Sequence, residues 1–381
     1  MSETHAHRAE AVVAAVREAN RALAVPGVTW AVASGVGEKR QVTVGAEGVA
    51  EDSLMLISSV TKVIASAATF ALIEAGVLGL DDPVERWVPE WGGRRVLARR
   101  HGPLSETVPA ARSTTVRDLL MMGFGLGWDM SAPDDDPLTL ATAAAGITST
   151  WQVPSLSPSE WAHQAASLPM AHQPGDGYMY HFSFDALTVV VEAATGQSFD
   201  EVLRERIFDP LGMRDTGYVV PASELPRVLA QYFPGDDGAE RVAPDADPSL
   251  LQRPDFCSAS TGLVSTASDL ITFGQMLLDN GMGPQRRVLP EEAVRLMRAD
   301  SLSAPAREMA EGFLDPGLGW GVGAAVDDQG RFGWDGGTGT SLWIDPTAGV
   351  AAVILTRGGM GSPDSADCFT DFWNAVRAQP W

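Results

Sequence analysis

The sequence predicts an α/β (α+β) protein with a central antiparallel sheet flanked by helices and an inserted, mainly helical region. Two observations carry that reading. Strand-like alternation is confined to the two ends of the chain, and the long middle is built from capped helix starts joined by Pro- and Gly-rich connections. At 381 residues, 45% hydrophobic and 20% charged, the chain can bury a large core and has no disordered composition.

Taken in order, the opening stretch MSETHAHRAEAVVAAVREANRALAVPG reads as an exposed amphipathic helix. It lacks the basic, apolar and small-residue regions of a secretory leader, so a cytoplasmic location is expected. Val28, Trp30 and Val32 alternate with smaller residues, and Gln41 to Gly45 follow a polar turn at Gly37 to Lys39; together they predict a β-hairpin. From Ser59 to Glu74 the apolar residues Val63, Ala67, Phe70, Leu72 and Ile73 take helical spacing, and Gly76 stands where a helix ends.

In the middle, Thr115 with Asp118, Ser157 with Pro158 and Glu160, and Ser198 with Glu201 each pair a capping hydroxyl with a first-turn carboxylate. Phe184 to Ala194 predicts an apolar helix closed by Gly196, and Thr266 with Asp269 opens another that runs to Asn280. From Gly317 onward strands return. Leu342 to Ile344 and Val350 to Thr356 form a hairpin about the turn DPTAG, and Cys368 to Val376 closes the chain as a helix. The expected division is residues 1–95 with 255–381 as a sheet unit and 96–254 as a helical unit, with the active site between them.

A formal net charge of −22 repels phosphate backbones and anionic headgroups, so nucleic acid and membrane are not expected partners. No apolar stretch reaches the roughly 18 residues that span a bilayer. Cys257 and Cys368 stand alone, outside any metal-ligand spacing, and are read as reduced and buried. No metal-binding, phosphate-binding or dinucleotide motif occurs, so no cofactor is expected, and nothing marks a particular oligomeric state.

The chemistry concentrates at Ser59-Val60-Thr61-Lys62. A three-residue step at a helix start puts a hydroxyl and an amine on one face, near backbone amides able to hold an oxyanion. A lysine can take the serine proton only when its amine is neutral, which requires burial or nearby positive charge. By spacing alone, a helix cap with a solvated lysine is the better account of the pattern.

The surrounding stretch ISSVTKVIASAATFALIEAGVLGLDDPVERWVPEW resembles the nucleophile segment of serine β-lactamases, penicillin-binding proteins and family VIII carboxylesterases. The resemblance continues in order through PGDGYMYHFSFDAL, IFDPLGMRDTGY, STGLVSTASDLITFGQMLL, GLGWGVG and WDGGTGTSLWIDPTAGVAAVILT, most of residues 52 to 357. It implies a β-lactamase/transpeptidase-like fold and a serine hydrolase working through an acyl-enzyme.

Mapped onto this chain, the resemblance implies Ser59 as nucleophile and Lys62 as its proton partner. Tyr180 matches the tyrosine of the Tyr-x-Asn element, as a phenolate-like base or as the acid for the leaving group, with Tyr178 a weaker candidate. Phe182 replaces the asparagine. Trp334-Asp335-Gly336 stands where penicillin-recognising members carry Lys-Thr-Gly, and the amide of Gly337 would complete an oxyanion hole with that of Ser59. Loss of that lysine removes the cation for a substrate carboxylate and points to neutral esters or amides.

The substrate pocket is therefore expected to include Trp334, Asp335, Gly336, Phe182, His181 and Trp128, with Trp343 either beside them or in the core. Asp335 either faces the site or turns away to cap the hairpin. A small-molecule carboxylesterase is the leading expectation. The alternatives are an acyltransferase or peptide-cyclising thioesterase, a β-lactamase or D,D-peptidase, and a non-catalytic binding protein of the same fold.

Overall fold

A computed structural model describes residues 3–22, 25–35, 40–147, 152–235, 238–243, 245–360, 363–379 and 381. The main sheet has seven strands: β1 (Val28–Ser34), β2 (Gln41–Glu47), β3 (Leu318–Trp320), β4 (Ala325–Asp327), β5 (Phe332–Gly336), β6 (Thr340–Asp345) and β7 (Val350–Thr356). Their order is β2-β1-β7-β6-β5-β4-β3, with every neighbouring pair antiparallel. The N-terminal hairpin is thus stitched onto the C-terminal meander through β1 and β7, Val28 opposite Thr356 and Ser34 opposite Val350. Both strands are buried along their whole length, as expected for strands covered on two faces.

The helices that cover the sheet are α1 (Glu3–Ala22), α2 (Thr61–Glu74), α3 (Phe182–Thr195), α4 (Ala267–Leu278) and α5 (Pro363–Arg377). Alternation along β6 separates the two faces. Leu342 points toward α4, where a Cβ on Gly274 would lie 3.2 Å from its Cδ1, whereas Ser341 accepts a hydrogen bond from Trp373 Nε1 of α5 at 2.9 Å. Because Trp334 pairs with Leu342 and Asp335 with Ser341, β5 sends Trp334 to the α2 and α4 face and Asp335 to the α5 face. α1 buries Val12 and Val16, so the expected exposed helix has one covered stripe.

The anticipated helix starts form as capping boxes at Thr115, Ser157 and Ser198, and Gly196 ends α3 in the left-handed conformation. Two small ribbons in the middle region were not expected, Arg95–Leu97 with Thr107–Pro109 and Gln231–Gly235 with Gly238–Ala243. Each is too short to show alternation in the sequence. Cys257 is a buried free thiol; the side chain of Cys368 and the polar turn at Gly37 to Lys39 lie outside the described residues.

Candidate active site

Ser59 sits in a single 3₁₀ turn, Ser58–Val60, that leads directly into α2, which carries Lys62. The chain entering that turn is pinned from the sheet side. Thr338 and Thr340 donate their hydroxyls to the Leu56 and Ile57 carbonyls at 2.7 and 2.9 Å, and Gln231 pairs with both the Leu56 amide and carbonyl. Ser58 is held at φ 45°, a conformation that non-glycine residues adopt only when their surroundings impose it. Gly336 passes so close that a Cβ would meet Thr340 Oγ1 at 2.2 Å and the Ile57 carbonyl at 2.4 Å, so only glycine lets β5 lie against the nucleophile turn.

Lys62 is fully buried, and its Nζ lies 3.0 Å from Ser59 Oγ, 2.7 Å from the Ser260 carbonyl and 3.4 Å from His181 Nδ1. Burial lowers its pKa to about 7, with the charge of Asp185 opposing the shift, so a substantial neutral fraction exists near neutral pH. Nζ also stands 4.6 Å from the centre of the Tyr180 ring.

Tyr180 is held opposite Trp128 by a mutual backbone pair at 2.9 and 3.1 Å, made possible by Gly127, whose Cβ would strike the Tyr180 carbonyl at 2.5 Å. Its hydroxyl is hydrogen-bonded to Ser59 and accepts from Trp334 Nε1 at 2.6 Å. Burial pushes the phenol above its ordinary pKa, while its hydrogen bonds with Ser59 and Trp334 pull the other way. The raised pKa favours the acid alternative for Tyr180 over the phenolate-like base. Tyr178 packs on Trp320 and Phe313 instead of reaching Ser59.

Ser59 opens onto a cleft of about 380 Å³ bounded by Trp128, Tyr180, Phe233, Phe313, Trp334 and Gly337, with Ser58, Asp315, Leu318, Asp335 and Met360 completing the wall. Phe313 stacks on Tyr180 at 4.0 Å and lies 6.2 Å from Trp334 in a near-parallel arrangement. No lysine or arginine is among the lining residues, which fits the loss of the Lys-Thr-Gly cation.

Ser59, Lys62, Tyr180, Gly337, Trp334 and Trp128 are thus brought together with the edge of Asp335, whereas Phe182, His181 and Gly336 do not line the cleft. Phe182 begins α3 with its side chain buried in the core, so it does not replace the asparagine in the cleft. His181 is also buried, 1% exposed, and lies behind Lys62 rather than in the wall. Asp335 touches the cleft edge but sends its carboxylate to the far face, where Trp343 Nε1 donates to it at 2.8 Å, because successive side chains on β5 alternate. Burial raises its pKa, against hydrogen bonds from Ser341 and Trp343. Trp343 itself lies on that far face beneath the Arg331 guanidinium.

The sequence reading did not anticipate Phe313, Phe233 and Asp315 in the wall, nor Ser260 and Asp185 behind Lys62. The spacing of His181 and Asp185, one helical turn apart at the start of α3, was the available signal for the latter pair.

A serine beside a buried lysine, a tyrosine hydroxyl and a glycine strand edge, on a helix-flanked antiparallel sheet, is the arrangement of a serine hydrolase. The Beta-lactamase family profile matches residues 12–371, and the chain belongs to that family. An uncharacterized protein of Mycobacterium tuberculosis is 33% identical over 322 residues, covering 80% of this chain and 78% of the relative. Esterase EstB of Burkholderia gladioli is 29% identical over 335 residues, covering 81% and 78%. Among solved structures, EstCE1, described as a hydrolase with promiscuous acyltransferase activity, superposes with a TM-score of 0.78 at 22% identity over 96% of this chain and 98% of its own. No described helix is long and apolar enough to cross a membrane, and no group of metal-ligating side chains occurs among the described residues.

Proposed function

We propose that the protein is a carboxylesterase acting on small neutral esters through an acyl-enzyme on Ser59. The observation that carries this reading is the 3.0 Å approach of a fully buried Lys62 amine, with a pKa lowered to about 7, to the Ser59 hydroxyl. Lys62 takes the Ser59 proton as Oγ bonds to the carbonyl carbon, and the amides of Ser59 and Gly337 receive the oxyanion. Tyr180, whose oxygen already accepts from Trp334, has its own proton available for the departing alkoxide and is restored from the Lys62 ammonium. Water then cleaves the acyl-enzyme by the reverse sequence.

A largely aromatic wall whose charged members, Asp315 and Asp335, are acidic and which has no cationic side chain speaks against a substrate bearing a carboxylate and supports a neutral one. The relationship to esterase EstB supports the ester reading. Transfer of the acyl group to an alcohol or amine is the second reading. It is favoured by a neighbouring cleft of about 390 Å³ that shares Asp315, Leu318, Asp335 and Met360 with the first and continues onto the α5 face past Trp343 and Arg331, a place for an acceptor at the shared rim. Cytoplasmic location and a two-unit division at residues 95 and 255 belong to the same proposal.

The test is intact-mass spectrometry with p-nitrophenyl acetate, p-nitrophenyl butyrate, nitrocefin and a fluorophosphonate probe. A Ser59 adduct with turnover of the short esters is the expected result, and acylation that persists until an alcohol or amine is added would favour transfer. Absence of any adduct would overturn the enzyme reading.

A further inference from the structure

Behind Lys62, away from the cleft, a line of buried polar groups runs into the protein. His181 Nδ1 faces Lys62 Nζ at 3.4 Å, His181 Nε2 is 2.9 Å from Ser260 Oγ, and Ser260 Oγ is 2.7 Å from Asp185 Oδ1. Ser258 Oγ reaches the same carboxylate oxygen at 2.6 Å and receives the Ser260 amide at 3.0 Å. None of these side chains is more than 1% exposed. Resting on the assignment of Ser59 as nucleophile, we propose that His181 is a positioning residue for acyl transfer, locked by Ser260 and Asp185 so that it aims the Lys62 lone pair at the Ser59 hydroxyl.

The direction of each hydrogen bond follows from the donor inventory. Ser258 Oγ also lies 2.7 Å from Ser260 Oγ, and a carboxylate only accepts, so the single Ser260 proton goes to Asp185 or to Ser258 and in either case leaves the Ser260 oxygen to accept from His181. The histidine proton is therefore on Nε2, and Nδ1 keeps its lone pair toward Lys62. Burial and the nearby Lys62 charge both hold the ring neutral, its pKa well below the ordinary value.

A neutral Lys62 amine has two N–H bonds and one lone pair. The Ser260 carbonyl and His181 Nδ1 accept the two N–H bonds, so the lone pair is left for Ser59. In the acylation step the Ser59 O–H bond breaks, an Nζ–H bond forms, and Oγ bonds to the acyl carbon. The resulting ammonium keeps both acceptors and points its new proton back toward the oxygen from which it came. Neither charge state requires the surroundings to reorganise. Without Nδ1, one N–H is free to rotate toward Ser59, and the lysine then donates where it must accept.

The backbone supports a selected position. His181 holds φ 85° and ψ −65°, a sparsely populated conformation for a residue with a side chain, and the Trp128 ring clamps its imidazole at 4.8 Å, 18° from parallel. A core residue free to settle elsewhere would not keep that turn. The titratable groups facing His181 are Lys62 from α2, Tyr180 beside it in the chain, and Asp185 one turn along α3.

The test is the rate of Ser59 labelling by a fluorophosphonate in the wild type and in His181→Phe, His181→Asn and Asp185→Asn, with rate constant and affinity separated by varying probe concentration and pH. The Phe variant should label about 100-fold more slowly with probe affinity changed less than about threefold, since His181 does not line the cleft. The Asn variant, whose amide oxygen can replace Nδ1 as acceptor, should recover to within about tenfold of wild type. Asp185→Asn removes a charge that favours the Lys62 ammonium, so the acid limb of labelling should move to lower pH by about one unit.

Equal rates in the wild type and the Phe variant would overturn the inference. So would an Asn variant no faster than Phe together with an unmoved acid limb in Asp185→Asn. If the Phe variant fails to fold, the Asn variant and the acid limb decide by themselves. A wild type that takes no label at Ser59 overturns the nucleophile assignment first, and this inference with it.

Discussion

The two sides of Ser59 are built on opposite physical plans. On one side Lys62, His181, Ser260 and Asp185 form a closed, polar line with almost no solvent exposure, in which each described hydrogen bond fixes the direction of the next. On the other, Trp128, Tyr180, Phe313 and Trp334 form an open wall of rings that meet by stacking and edge contact and share only one side-chain hydrogen bond, from Trp334 to Tyr180. A buried polar line tolerates little change because every lost partner leaves an unsatisfied group. An aromatic wall can lose a ring and still exclude water. The closed side should therefore govern the rate of chemistry, and the open side the choice of substrate.

The largest break in that comparison comes at the shared atom. Ser59→Ala should lower ester turnover by about 10⁴-fold or more while circular dichroism and the melting temperature stay near wild type, since a small polar group is lost at the cleft edge. Wild-type-like turnover in this variant would remove the basis for assigning chemistry to either side.

On the closed side, Lys62→Met should cost about 10³-fold or more in turnover, lower the melting temperature because the buried Ser260 carbonyl and His181 Nδ1 lose their donor, and abolish a rise of stability with pH. The sign follows from linkage. Lys62 is lowered from 10.5 to about 7 in the folded state, so between those values the unfolded chain binds the extra proton. Wild-type stability from this group consequently rises with pH across that window, and the Met variant should lack the rise. Calorimetry of both proteins at several pH values reads it directly. In the wild type, ester turnover should climb through pH 7 as the amine becomes neutral.

The junction between the sides is the Trp334 hydrogen bond. Trp334→Phe keeps a ring in the wall but removes the donor that holds the Tyr180 oxygen, and should lower kcat by about tenfold with KM nearly constant. Phe313→Ala, which opens the wall without touching a polar partner, should do the reverse: KM for p-nitrophenyl butyrate should rise by about five- to tenfold and kcat should change little. If both variants altered kcat and KM alike, the division between chemistry and selection would fail.

The same contrast explains what the sequence disclosed. Hairpins, capped helix starts and the Ser59 to Lys62 step are local patterns, set by alternation, capping oxygens and one turn of helix, and they can be read from neighbouring residues. Membership of the family was legible because many such segments recur in order. The closed line was not, since it joins α2, the start of α3 and the Ser258 to Ser260 loop, and no periodicity relates those positions. The wall was half legible: Trp334 and Trp128 lie in recognised segments, whereas Phe313 comes from a connection with no motif of its own. Phe182 misled because a residue replacing a polar one was assumed to keep its direction, when the turn at His181 redirects the chain into α3.

Asp335 offers the finest discrimination, because it is adjacent to Trp334 in sequence and opposite to it in the sheet. A carboxylate in the cleft would set substrate charge, and its replacement would change KM for charged esters. With the carboxylate on the α5 face, held by Trp343 and near Arg331, its replacement should act on the fold instead. Asp335→Asn keeps an oxygen for the Trp343 indole and loses only the charge. It should leave kcat/KM for p-nitrophenyl acetate within about twofold of wild type and raise the melting temperature slightly, by roughly 1 °C at neutral pH, because burial already disfavours the ionised carboxyl. Comparing a neutral ester with one carrying a quaternary ammonium group sharpens the result. An unchanged preference between the two follows if β5 keeps its alternation, whereas a selective loss of the cationic ester would mean that Asp335 turns toward the open side when substrate is bound.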